Sequence, residues 1–260
     1  PSSYYNITDK FPFAADANAT DVGDLTQART QLAGQSSTTS GYTSGGLGPS
    51  FTTVNTIDKF PFAADANATD VGDLTQARRQ VTGQSSSESG YSSGGYSPSV
   101  VTTIDKFPFA ADANATDVGD LTRARSFGAG QSSTESGYTS GGQGTVTNVI
   151  DKFPFAADAN ATSVGNLTQS RPSSAGQSSS ESGYTSGGFP NLNTIDKFPF
   201  ATDSNATDVG DLTQARSGVA GQSSIVSGYT SGGSSPPFSN TIDKFPFAVD
   251  ANATDVGDLT

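Results

Sequence analysis

Residues 9–26 read DKFPFAADANATDVGDLT, and nearly the same words return five more times along the chain. The Phe-Pro-Phe triplets begin at Phe11, Phe60, Phe107, Phe153, Phe198 and Phe245, with spacings of 49, 47, 46, 45 and 47 residues. A second phrase, GQSS followed by GY(T/S)SGG, alternates with the first and starts at Gly34, Gly83, Gly130, Gly176 and Gly221. The chain therefore holds six copies of one half-repeat and five of the other, the signature of a stacked repeat architecture. All the length variation falls in the segments between each Gly-Gly doublet and the next Ile-Asp-Lys: LGPSFTTVNT, YSPSVVTT, QGTVTNV, FPNLNT and SSPPFSNT. Everything else is frame.

Four short strands per repeat are expected. Phe, Tyr, Ile, Val and Thr alternate with clusters of Gly, Asn, Asp and Ser, which is strand-and-turn composition. Strand one centres on AGQSS, strand two on GYTSGG, strand three on TIDKFPF and strand four on ATDVGDLT. Turns are expected at Thr38–Gly41 and Ala15–Asn18. Helix is disfavoured by 30 Gly and by a Pro inside every unit. Pro12 and its equivalents fall in strand three, where a bulge or an early strand end is expected. Phe60 and Phe62 share one face of that strand while Ile57 lies on the other, so each sheet needs cover on both sides. One repeat alone buries too little to offset its chain entropy, so repeats must cover one another.

Four strands per repeat with a Gly-Gly doublet closing strand two resembles a kelch-type β-propeller blade. The matching residues are GYTSGG (41–46 and its equivalents) and DLTQAR (24–29), similar to the kelch stretch that links one blade to the next. The kelch Trp of strand four is absent, and Ala19 to Val22 occupy that region. The resemblance implies an all-β propeller, a single domain spanning residues 1–260. Six blades are expected; five blades with an extra hairpin, or a β-solenoid, are the alternatives. The first residues supply only strands three and four of a blade, and no initiator Met is present, so a fragment of a longer chain is expected. The wording of the repeat is also similar to structural proteins of aquatic bacteriophages. That likeness implies a virion component such as a tail fibre, a receptor-binding protein or a surface decoration.

Composition narrows the chemistry. The chain carries 25 acidic and 13 basic residues, a formal charge of −12. Such a balance argues against nucleic acid and anionic membranes as partners and for a solvated acidic shell. No apolar run approaches the ~20 residues of a membrane span. With no His, Cys or Met, a thiolate nucleophile, an imidazole base and a copper site are all unavailable. Paired carboxylates for glycoside cleavage would have to be singled out from Asp residues that recur in every repeat. A non-enzymatic binding protein is the expectation.

Candidate binding residues follow from the variable segments, whose aromatic members Phe51, Tyr96, Phe189 and Phe238 are read as anchors for a host-surface glycan or protein. Other virion proteins, or further copies of the chain, are the other expected partners, and the virion surface or extracellular space is the expected location. An extracellular adhesin or lectin-like propeller is the alternative function. Asn-Ala-Thr sequons stand at Asn18, Asn67, Asn114, Asn160, Asn205 and Asn252, candidate glycan acceptors that also read as turn-forming residues. No cofactor is expected. Calcium is the alternative at the DANATDVGD stretch (Asp16, Asn18, Asp21, Asp24), which lacks the spacing of an EF-hand loop and is weakened to DANATSVGN in the fourth copy. Arg29, Arg78, Arg125, Arg171 and Arg216 are expected to pair with a neighbouring Asp or to cap carbonyls between blades, and the GQSS segments to pack near the axis.

Overall fold

The computed structural model describes residues 4–144, 148–234 and 238–260; parts of the third and fifth variable segments lie outside them. The chain opens with a hairpin, β1 (Ile7–Lys10) and β2 (Thr20–Asp24). Five antiparallel four-stranded sheets follow. The first is β3 (Ala33–Ser36), β4 (Ser40–Leu47), β5 (Thr53–Pro61) and β6 (Thr69–Asp73). The second is β7 (Thr82–Ser85), β8 (Ser89–Ser93), β9 (Thr103–Pro108) and β10 (Thr116–Asp120). The third runs through β11 (Ala129–Ser132), β12 (Ser136–Ser140), β13 (Val149–Pro154) and β14 (Thr162–Asn166). The fourth comprises β15 (Ala175–Ser178), β16 (Ser182–Ser186), β17 (Leu192–Pro199) and β18 (Thr207–Arg216). The fifth is β19 (Ala220–Ser223), β20 (Ser227–Ser231), β21 (Thr241–Pro246) and β22 (Thr254–Asp258).

These sheets are the blades of a β-propeller. Each is a meander in which neighbours in sequence are neighbours in space, and the first strands β3, β7, β11, β15 and β19 lie side by side along the axis. The expectation of six complete blades is corrected: five are complete, and the N-terminal hairpin is the extra element. That hairpin closes the outer ring. Ala19 N donates to Asp258 O of the fifth blade, and Ala68 N of the first blade donates to Asp24 O, both as at every blade boundary. A solenoid would not bring β22 back to β2.

Repeated contacts explain the repeated words. Tyr42, Ile57 and Leu74 of the first blade pack against Phe107 and Ala115 of the second, and four further clusters follow the pattern. The two faces of strand three therefore serve two different interfaces, as the Phe/Ile alternation requires. The second Phe of every triplet except Phe62 stacks on the preceding blade's Tyr, with Tyr42 and Phe109 ring centroids 4.8 Å apart. Strand three ends at the triplet's Pro in every complete blade, which answers the Pro question by termination. The register instead shifts opposite strand four, near Gly72 (φ +153°), where an added Cβ would fall 2.5 Å from the Ala113 carbonyl oxygen of the next blade. Strand four is shorter than its repeat unit except in β18.

Charge is distributed in two rings. Inside, Arg29, Arg78, Arg125, Arg171 and Arg216 pair with Asp58, Asp105, Asp151, Asp196 and Asp243 at 2.6–3.2 Å, with side chains essentially excluded from water. Arg78 also donates to the carbonyls of Thr103 and Ser92, so both sequence expectations for these arginines hold together. Burial pulls each of these guanidinium pKa values down, and the carboxylate opposes it. At the rim, six lysines reach one blade onward: Lys10–Asp65, Lys59–Asp112, Lys106–Asp158, Lys152–Asp203, Lys197–Asp250 and Lys244–Asp16. The last of these crosses from the fifth blade to the hairpin.

Candidate functional site

In a four-stranded meander the strand two–three and strand four–one connections emerge on one face, and the other two turns on the opposite face. The variable segments all join strands two and three, so they share a face of the disc. Phe51 ends a short 3₁₀ turn (Pro49–Phe51) and is 76% exposed; Phe189 and Phe238 are 60% and 88% exposed. Tyr96 differs. It is half-buried, bridges to Arg79 and Val100, and its ring lies 4.7 Å from the Arg79 guanidinium carbon. The structure thus brings the four aromatics to one face but on four separate blades, with three presented outward and one folded onto its own blade.

The Asn-Ala-Thr asparagines lie in the strand three–four turns of the opposite face. Asn67 Oδ1 accepts from Asp24 N at 3.0 Å, and Asn114, Asn160, Asn205, Asn252 and Asn18 accept likewise from the preceding blade's strand four. These turns are inter-blade clasps built from Asx chemistry. Nor do the oxygens of the calcium-like stretch converge: Asp16 meets Lys244, Asp21 accepts from Gly23 N, and Asn18 accepts from Asp258 N. Among the described residues no group of three acidic side chains forms a metal-binding cluster.

The axis is lined by glycine, glutamine and hydroxyls, where small-residue packing was expected from GQSS. Sequence reasoning missed the glutamine ladder that organises it. Gln35 Nε2 donates to Tyr91 O at 3.0 Å and to the hydroxyls of Ser44 and Ser92, and Gln84, Gln131 and Gln177 repeat this one blade onward each. Its signal was in plain sight: a Gln between Gly and Ser in all five repeats is too long for a small-residue position. The central cavity, about 1100 Å³, runs past Gly34, Gly83, Gly130, Gly176 and Gly221 and opens sideways at Phe13, Phe60 and Phe62. A smaller hydroxyl-lined recess of about 360 Å³ lies between Ser85–Ser87, Ser132–Thr134 and Ser179–Ser180. Ile225 and Val226 replace polar turn residues in the fifth blade and are exposed, a second apolar feature that the repeat reading passed over.

No protein-family model matches the chain, and comparison with curated proteins found no match.

Proposed function

We propose that this chain is a non-enzymatic structural and binding protein of a virus particle, a kelch-like propeller with six blade positions that displays variable loops on a stiff frame. The observation that carries this reading is the coincidence of free length and exposed aromatic surface. Phe51, Phe189 and Phe238 project from segments that alone vary in length, while the recurring Tyr, Ile, Arg and Asp of the frame are committed to contacts within and between blades. Large exposed aromatics in otherwise polar loops suit stacking on saccharide rings or insertion into protein pockets. The acidic surface and the resemblance of the repeat to phage structural proteins support a place on the outside of a virion, with other virion proteins, or further copies of the chain, holding the opposite face.

The test is to exchange the loops. Replacing the exposed tips alone, residues 49–52, 189–190 and 235–238, by polar residues of equal number leaves the flanking strands and the unfolding midpoint in place and weakens attachment to host cells or incorporation into particles. Single Phe→Ala changes at a true anchor lower affinity by about tenfold or more. Attachment and assembly that survive all three exchanges defeat the proposal.

A further inference from the structure

Between the fifth and first blades the ring is joined by its outer half alone: β1 and β2 bridge them, and the inner edge of β1 pairs with no strand among the described residues. The resulting cleft opens into the axial cavity. Its walls carry half of every contact that is complete at the other blade boundaries. A Cβ built on Gly83, Gly130, Gly176 or Gly221 falls within 3.0 Å of the preceding blade's glycine carbonyl, whereas one on Gly34 meets nothing within 4 Å. Gln177 donates to the next blade's Tyr229 carbonyl, but Gln222 donates only to Ser231 of its own blade, at 3.1 Å. Phe107 is 1% exposed beneath Tyr42, while Phe60 is half-buried and Phe62 is 47% exposed. Asp58 holds Arg29, and Asp9, at the same place in β1, pairs with no cation among the described residues.

Thr260 marks the way in. It donates to Asp9 from Oγ1 at 2.6 Å and from N at 3.3 Å, as Thr26 does to Asp58 at 2.7 and 3.0 Å. From Thr26, Thr75, Thr122, Thr168 and Thr213 the chain reaches the next first strand in 7 residues.

We propose that this cleft is the receptor for one β-hairpin of the chain's own second half-repeat, of the type seen in residues 123–144, on polypeptide joined to Thr260. The hairpin's first strand lays a glycine carbonyl against Gly34. Its tyrosine covers Phe60 and Phe62, the carbonyl of that tyrosine accepts from Gln222, and its arginine neutralises Asp9. Recognition is β-strand addition with four local checks, one of backbone against backbone and three involving side chains, each already satisfied four or five times elsewhere in the ring.

The experiment extends the 260-residue chain at Thr260 with RARSFGAGQSSTESGYTSGGQG (the sequence of residues 123–144) or with a scrambled version, and places Gly34→Ala in both the unextended and extended chains. The expected result is a higher denaturation midpoint with the ordered extension alone. Gly34→Ala is then harmless in the unextended chain and lowers the midpoint of the extended one. Fluorescein-labelled free peptide serves as the second probe. Saturable binding to the unextended chain, at least about tenfold weaker to the extended chain, supports the same site and the tethered source. No binding in trans, with stabilisation in cis, supports it too, since tethering supplies the effective concentration. Equal midpoints for ordered and scrambled extensions, with an unchanged Gly34→Ala effect, overturn the proposal. So does peptide binding that the ordered extension leaves undiminished.

Discussion

Alanine at Gly130 and alanine at Gly34 should have opposite effects on stability, although the two glycines occupy the same word of the repeat. A Cβ on Gly130 falls within 3.0 Å of the Gly83 carbonyl, a backbone atom held in the β7–β8 ladder, so two first strands must separate. Overpacking of this kind costs about 1–3 kcal/mol. At Gly34 the added methyl enters open space, and the change recovers the entropy that glycine forfeits in a strand, about 0.5–1 kcal/mol. The two variants should therefore differ by roughly 1.5–4 kcal/mol, the sum of those ranges. Urea denaturation followed by tyrosine fluorescence (8 Tyr, no Trp) and by far-UV circular dichroism reads both values, with coincident curves securing a two-state treatment. Equal destabilisation by the two substitutions would refute the axial stacking of glycines on carbonyls.

The buried ion pairs supply a second prediction: Arg78→Met strands Asp105 away from water and should cost about 3–5 kcal/mol, most of it recovered when Asp105→Asn is added. A single-variant loss below about 1 kcal/mol, the range of exposed pairs, would contradict the burial of this one. In the strand four–one connectors, Ser173 has φ +59° and Gly218 φ +65° at corresponding places. Ser173→Gly should raise stability and Gly218→Ala lower it, each by about 1–2 kcal/mol in guanidinium titrations, and a common sign would contradict this. Alkali provides the fourth. Hydrogen bonds to Asp112, Asp158, Asp250 and Asp16 raise the pKa of Lys59, Lys106, Lys197 and Lys244, and burial raises that of Tyr91, Tyr138 and Tyr184. A raised pKa means that the folded state holds its proton more tightly. The associated stability is complete below about pH 10 and is lost as pH climbs through the folded values. Denaturation midpoints should fall steadily above pH 10; a flat profile to pH 12 would contradict the assignment.

Much of this molecule was legible as text. The alternation of Phe60 and Phe62 against Ile57 announces a sheet covered on both faces, and the recurrence of the phrase announces that the covers are copies of itself. In the five complete blades the Pro of the triplet marks where strand three stops, because a residue without an N–H cannot continue the ladder. The pairing of each connector Arg with an Asp was also within reach, since an Arg recurring in every repeat serves the frame. Which Asp it chooses was not. Asp58, Asp70 and Asp73 are equivalent as letters, and only the arrival of the preceding connector buries the first of them against Arg29 while the other two stay in strand four.

The same limit governs Tyr96, whose place in a variable loop reads like that of Phe51 until Arg79 is found stacked on its ring. Blade count belongs to this second category as well. Local patterning determined the strands, their faces and their turns, because those depend on side-chain periodicity along a few residues. The tertiary structure alone decided that a two-strand hairpin takes a blade's position and leaves a cleft beside Gly34, because ring closure depends on contacts between residues up to 251 positions apart, such as Thr260 with Asp9.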